Sequence, residues 1–242
     1  MSEKDAIYQT DTGMSGRFVF DEKVVQVFPD MIGRSVPGYE WVVPMTGLIA
    51  RRYAQPGSVL YDLGCSLGAS SLAMRSAVNV RPVSMVAVDN SAAMVKAFQE
   101  KLGTSPGEIP IEIREADVLD TRVENASVVV LNFTMQFIDP QRRDELIRNI
   151  HAGLNEGGVL ILSEKIRFAE DADQARQTAL HEDFKRAKGY SDLEIAGKRA
   201  ALENVLRADT EQGHRRRLAS AGFAQVDRWF QCFSFCSYLA LK

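Results

Sequence analysis

From Val59 onward the chain repeats one unit: a short apolar run that ends on a polar residue, followed by a stretch with apolar positions at helical spacing. Val59-Leu60-Tyr61-Asp62-Leu63, Met85-Val86-Ala87-Val88-Asp89, Val128-Val129-Val130-Leu131-Asn132 and Val159-Leu160-Ile161-Leu162-Ser163 are almost continuously apolar. Strands buried on both faces need that composition. Ile109 to Arg114 alternates apolar with charged residues and reads as a further strand. Ser70 to Val80, Ser91 to Leu102 and Pro140 to Leu154 read as helices. Ser91 is placed to cap the second, Asp139-Pro140 starts the third, and Gly157-Gly158 follow its end. Strands alternating with helices predict an α/β fold with a parallel sheet covered on both faces. Phe223 to Phe230 and Phe233 to Leu241 are strand-like runs almost in contact, which predicts an antiparallel hairpin at the sheet edge. The sum is a seven-stranded, mostly parallel sheet.

Two segments fall outside this plan, and both are read as parts of a single domain spanning residues 1–242. Residues 1–56 form an N-terminal extension with one helix, around Val42 to Tyr53. Residues 165–206 are charged and helical in pattern and read as a helical lid over the strand ends, where ligands bind in open α/β sheets. Composition narrows the function classes. With 29 basic and 32 acidic residues the formal charge is −3, which gives no overall field to attract nucleic acid. No apolar run reaches the roughly 18 residues of a membrane helix, and the polar start lacks a signal-peptide core. Cys65, Cys232 and Cys236 make neither an even set nor a CxxC pair, so they read as reduced thiols of a cytoplasmic protein. None of the histidines pairs with cysteine at ligand spacing, so no metal site is expected.

The first strand runs into Asp62-Leu63-Gly64-Cys65-Ser66-Leu67-Gly68. A glycine turn here lets the backbone approach a ligand and leaves the next helix's N–H groups facing it. Ser66 stands where a general acid-x-Gly-x-Gly-x-Gly motif has its central glycine. Asp89, with Asn90 beside it, ends the second strand 25 positions after Gly64, where a carboxylate accepts from ribose hydroxyls. Asp117, with Val118 beside it, follows the third strand and is placed for an adenine amino group. Asn132 ends the fourth. Each alone is as readily a turn or cap residue. Together, at successive strand ends, they favour an S-adenosylmethionine-type nucleotide over NAD, whose GxGxxG is missing. This is the layout of the Rossmann-like class I methyltransferase fold.

Longer segments carry a closer likeness. Phe20-Asp21-Glu22-Lys23-Val24, Val27-Phe28-Pro29-Asp30-Met31-Ile32, Arg34-Ser35-Val36-Pro37-Gly38-Tyr39 and the Gly64-Cys65-Ser66-Leu67-Gly68 turn resemble the carboxy-S-adenosyl-L-methionine synthase family. So do Val129 to Thr134, Ser163-Glu164-Lys165, Asp183 to Ala187, Gly189-Tyr190-Ser191, Leu202-Glu203-Asn204-Val205 and Trp229 to Phe233. Departures fall in stretches such as 1–16, 76–84 and 170–180.

The resemblance implies conversion of S-adenosyl-L-methionine and prephenate to carboxy-S-adenosyl-L-methionine and phenylpyruvate. The product then serves a separate tRNA carboxymethyltransferase acting on wobble uridine, and the enzyme itself is a homodimer. It further implies that Tyr39 contacts the nucleotide and that Arg199 meets the new carboxylate across the dimer interface, where a planar guanidinium suits bidentate pairing. No conventional general base is required, because prephenate on aromatising releases carbon dioxide and a hydroxide equivalent into a closed site. Glu164-Lys165 reads as a prephenate contact or as a surface ion pair. Lys185 and Arg186 read as an attraction for the dianion or as solvated lid residues, and His181 as a surface histidine. Two other readings stay open: an S-adenosylmethionine-dependent small-molecule methyltransferase, and a nucleotide-binding regulatory partner without turnover.

Overall fold

The computed structural model describes residues 3–9, 18–203 and 205–242; Asn204 and most of the variable 1–16 stretch lie outside the described residues. Helices α1 (Glu22–Ser35) and α2 (Tyr39–Tyr53) precede β1 (Val59–Leu63), α3 (Ala69–Ala77), β2 (Ser84–Asp89), α4 (Ala92–Gly103) and β3 (Ile111–Glu115). Then come β4 (Ala126–Asn132), a 3-10 turn (Met135–Phe137), α5 (Arg143–Gly153) and β5 (Leu154–Arg167). The chain ends with α6 (Asp171–Ala187), α7 (Asp192–Leu202), β6 (Asp209–Thr210), α8 (Glu211–Ala221), β7 (Gln225–Cys232) and β8 (Phe235–Leu241). The main sheet runs β3-β2-β1-β4-β5-β8-β7. Its first five strands are parallel, and β8 lies antiparallel between β5 and β7. The seven expected strands are therefore present, and the two-residue β6 adds a short pairing to the end of β5.

Period-two alternation divides the apolar runs between two cores. Tyr61, Leu63, Val129, Leu131, Leu160 and Leu162 face Leu146, Ile147 and Ile150 of α5 and Leu218 of α8. Leu60, Val128, Val130, Val159 and Ile161 face Ala50 of α2 and Met74 of α3. Burying each large side chain contributes roughly 1.5–3 kcal/mol, which is why these strands carry almost no polar residues.

Three boundaries differ from expectation, each for a local reason. The N-terminal extension holds a second helix, α1, capped by Asp21, whose carboxylate accepts from Val24 N at 3.0 Å. Val24, Val27 and Met31 bury its inner face against Met94 of α4. Pro29 inside it interrupts the helical signal. Helix α5 begins at Arg143 rather than Pro140, because Asp139 first closes a turn: its carboxylate accepts from Gln141 N (3.0 Å) and its carbonyl from Arg142 N (2.9 Å). The hairpin strands meet later than expected, around Phe233-Ser234, with Phe233 at φ +51°. Strand order reverses between β1 and β4, and that reversal opens a crevice at their carboxyl ends.

Candidate functional site

The glycine turn occupies this crevice, and its residues are there for steric reasons. Gly64 has φ +85°, and a Cβ on it would stand 2.2 Å from Thr134 Oγ1 and 2.4 Å from Thr134 Cγ2. Gly68 has φ +75°, and a Cβ there would meet the Phe98 ring at 2.1 Å. Ser66 takes a left-handed backbone at φ +48° without being glycine. Its N–H donates to Asp89 Oδ2 at 2.8 Å, while Ser91 N donates to Asp89 Oδ1 at 3.0 Å. Asp89 thus clamps the turn and still has lone pairs left for the crevice. Burial pushes its carboxyl up, against the pull of those two N–H groups. Beneath the turn, Asp62 is fully buried and accepts from Ser71 Oγ at 2.6 Å. Burial pushes its carboxyl up to about 6, and the Ser71 bonds oppose the rise. Cys65 packs with Ala87 and Phe98 as a small hydrophobe.

A cavity of about 1090 Å³ lies over the turn. Tyr39, Gly64, Cys65, Ser66, Asp89, Asn90, Asp117, Val118, Asn132 and Arg199 all line it. Asn132 is more committed than its strand-end position suggested. Its Nδ2 donates to Ser70 Oγ (2.9 Å) and Thr46 Oγ1 (3.2 Å), and its Oδ1 accepts from Ser163 Oγ (2.7 Å). That network fixes the end of β4 against α2, α3 and β5. Asp117 is exposed, and its Oδ1 accepts from Leu119 N at 2.9 Å. Directly after Asn132 the backbone turns through Phe133 at φ +60°, a strained conformation for a bulky residue. The Phe133 ring meets Tyr39 at 6.3 Å and Phe235 at 6.2 Å between centroids.

The lid forms the other wall. Helix α7 opens on a capping box in which Ser191 and Glu194 exchange hydrogen bonds. Lys198 on its inner side donates to Asp5 Oδ2 (2.6 Å), Tyr190 OH (2.6 Å) and Ser35 Oγ (3.2 Å). Burial alone would raise the Asp5 carboxyl, but the Lys198 ammonium and the hydrogen bonds from Lys198 and Tyr190 hold it below the usual carboxylate range. Arg199, the next residue, lies at the cavity rim, 65% exposed, and pairs with Glu182 of α6. Within one chain this guanidinium already has a carboxylate.

Several lid and strand residues are placed differently from their sequence reading. His181 is buried, not at the surface: its ring packs on Phe235 at 4.9 Å and its Nε2 donates to Ser35 O at 2.8 Å. Burial, with Lys185 and Lys165 nearby, pushes it down to about 3, so the ring is neutral. Glu164 is no surface ion pair. It is completely buried and accepts from Met135 N (2.8 Å) and Gln136 N (2.9 Å), which holds the 3-10 turn. Burial pushes it up to about 8 despite those N–H groups and Arg143. Arg186 is solvated, in pairs with Asp183 and Asp192, whereas Lys165 and Lys185 face the cavity. Sequence reasoning left Phe133, Gln136 and Phe235 out of the site. Phe133 and Gln136 follow the end of β4 closely enough to have been suspected, whereas Phe235 comes from the distant hairpin.

Comparisons with known proteins agree with this architecture. The methyltransferase-domain family matches residues 60–158, from β1 into β5. A candidate S-adenosyl-L-methionine-dependent methyltransferase from Methanococcus maripaludis shares the fold, with a TM-score of 0.61 over 94% of this chain and 96% of that one at 18% identity. Carboxy-S-adenosyl-L-methionine synthase of Trichlorobacter lovleyi is 53% identical over 98% of both chains. The protein of the same name from Aeromonas salmonicida is 52% identical over 100% of this chain and 98% of that one. Identity at that level over nearly the whole length of both chains makes this chain a member of the carboxy-S-adenosyl-L-methionine synthase family.

Proposed function

We propose that this chain converts S-adenosyl-L-methionine and prephenate to carboxy-S-adenosyl-L-methionine, phenylpyruvate and water. The observation that carries the reading is the convergence of the glycine turn, Asp89, Asp117, Asn132 and the lid arginine on one cavity at the strand-order reversal. Tyr39, Gly64, Cys65, Ser66, Asp89, Asn90, Asp117, Val118, Asn132 and Arg199 hold the nucleotide. Prephenate, on aromatising, loses carbon dioxide and hydroxide. The hydroxide takes a proton from the methyl group beside the positive sulfur, giving water, and the resulting carbanion forms a bond to the carbon dioxide. The protein's part is to enclose both substrates and exclude bulk water, so that neither short-lived species escapes.

In this reading Arg199 exchanges Glu182 for the carboxylate of the product. It does so in a cytoplasmic homodimer, and the product passes to a separate tRNA carboxymethyltransferase, with no nucleic acid bound by this chain. Incubation with both substrates is expected to add one carbon dioxide unit to the nucleotide, read by mass spectrometry. Absence of that product removes the proposal.

One observation favours a second reading, a small-molecule methyltransferase using S-adenosyl-L-methionine: within the single chain Arg199 already pairs with Glu182. Arg199→Ala separates the two. The carboxylating enzyme should lose affinity for the carboxylated nucleotide by about ten-fold or more while keeping that for S-adenosyl-L-methionine. Equal losses favour the methyltransferase.

A further inference from the structure

The cavity is electrically divided along the sheet. Asp89 ends β2 and Asp117 follows β3, whereas Lys165 lies on β5. In the order β3-β2-β1-β4-β5, strands β2 and β5 are three positions apart, roughly 14 Å at normal strand spacing. Helix α6 brings Lys185 into the same cavity, one helical turn beyond the neutral His181, whose ring packs on the Phe235 ring that Lys165 also approaches.

The cations nearest these two are already matched. Lys198 is tied to Asp5, and Arg199 to Glu182. Among the described residues, Lys165 and Lys185 have neither an ion pair nor a hydrogen-bond acceptor for the ammonium. The charges that act on them are Arg199 on Lys165, and Lys165 and Lys198 on Lys185, all of the same sign. Burial, joined by these neighbours, pushes Lys185 down to about 7. Glu182 and Glu203 line the same cavity but pair with neither lysine, and two half-buried ammonium groups without a paired carboxylate favour an arriving anion.

The wall between them is aromatic. Phe235 lies 5.9 Å from Lys165 Nζ and stands edge-on to both Phe133 and His181. Phe133 is held there by the strained backbone described above. The Phe133 and Phe235 rings are largely buried and still border the cavity, which gives this end an apolar lining. The cavity, at about 1090 Å³, lies at the upper end of the roughly 300–1,000 Å³ usual for small-ligand sites, which leaves space beside a nucleotide for a second small molecule.

We propose that Lys165 and Lys185, over the Phe133–Phe235 wall, form the seat of a ring-bearing dicarboxylate bound beside the nucleotide. This deepens the function proposed above and rests on it: the dicarboxylate is the second substrate, and the two lysines fix its position and specificity. They are binding residues and take no part in bond making.

The test uses the full chain saturated with S-adenosylhomocysteine, which lacks the reacting methyl group. Prephenate, homophthalate (a benzene ring with two carboxylates) and phenylacetate (one carboxylate) are titrated by calorimetry into the parent, Lys165→Met and Lys185→Met. Each variant should lose about ten-fold or more affinity for both dianions. Phenylacetate should bind the parent more weakly than homophthalate, and affinity for S-adenosyl-L-methionine should stay within about two-fold. Lys185→Arg should recover part of the loss. The proposal is overturned if the parent binds neither dianion, or if both variants bind them within about two-fold of the parent. If the parent holds both dianions through the lysines yet makes no carboxylated nucleotide, the seat stands and the reaction falls. If product forms with an unchanged KM for prephenate in both variants, the reaction stands and the seat falls.

Discussion

Gly64→Ala tests whether the turn is shaped by sterics at a known place. Gly64 sits at φ +85°, and an L-residue in that region costs roughly 1–2 kcal/mol. The new methyl would also lie 2.2, 2.4 and 2.8 Å from Oγ1, Cγ2 and Cβ of Thr134. Threonine is branched at Cβ and stiff about χ1, so it cannot swing clear, and overpacking of this kind costs roughly 1–3 kcal/mol. The expected loss is therefore about 2–5 kcal/mol, measured as a lower urea midpoint at unchanged slope. The two contributions separate in a double-mutant cycle. Thr134→Gly in the Gly64→Ala background should return the steric part and leave about 1–2 kcal/mol of backbone cost. Gly33→Ala is the internal control: it lies within α1 with nothing within 4 Å of its added Cβ, and should stabilise by roughly 0.5–1 kcal/mol. A Gly64→Ala protein within about 0.5 kcal/mol of the parent, or a cycle with no coupling, would refute the reasoning.

Further outcomes follow from the buried charges and the crevice. Asp5→Ala should destabilise by about 3–5 kcal/mol at neutral pH because it strands Lys198, and Asp5→Ala/Lys198→Met should recover most of that loss in urea unfolding. Since the Asp5 carboxyl is held low in the folded state, the parent's advantage over Asp5→Asn should be full above pH ~4 and shrink as pH falls through the folded value. Glu164 has the opposite sign: raised to about 8, it binds its proton more tightly when folded. The stability of the parent relative to Glu164→Gln should thus fall by roughly 1 kcal/mol per pH unit between about pH 4.5 and 8, and a flat difference would sink the assignment. S-adenosyl-L-methionine at a hundred times its Kd should stabilise the chain by about 2.7 kcal/mol, seen as a concentration-dependent Tm.

The strands of the sheet were legible because burial on both faces leaves no room for polar residues, as in Val128 to Leu131. That the expected residues meet at one cavity was legible because chain topology delivers strand ends to one edge: Asp89 and Asn132 need only end their strands to arrive there. What the sequence hid was decided at long range. His181 sits on a helix with a weakly apolar face, and its burial comes from Phe235 on β8 and Ser35 on α1. Glu164 next to Lys165 invited an ion pair, but alternation on a strand sends neighbours to opposite faces, and the carboxylate found backbone N–H groups instead. Helix α1 was hidden by Pro29, although Asp21 supplied its cap. The partner of Arg199 lies on a different helix, and no local pattern names it.

Lys198 and Arg199 are neighbours on α7, yet one is moored to Asp5 and the other borders the cavity mouth. The stretch around Asp5 thereby acts as a tether on the helix that presents the rim arginine. Trimming residues up to Asp5, or crowding them with a fused tag, should loosen the mouth and speed ligand escape while leaving the sheet intact. A preparation altered at that end reports on the tether as much as on the enzyme.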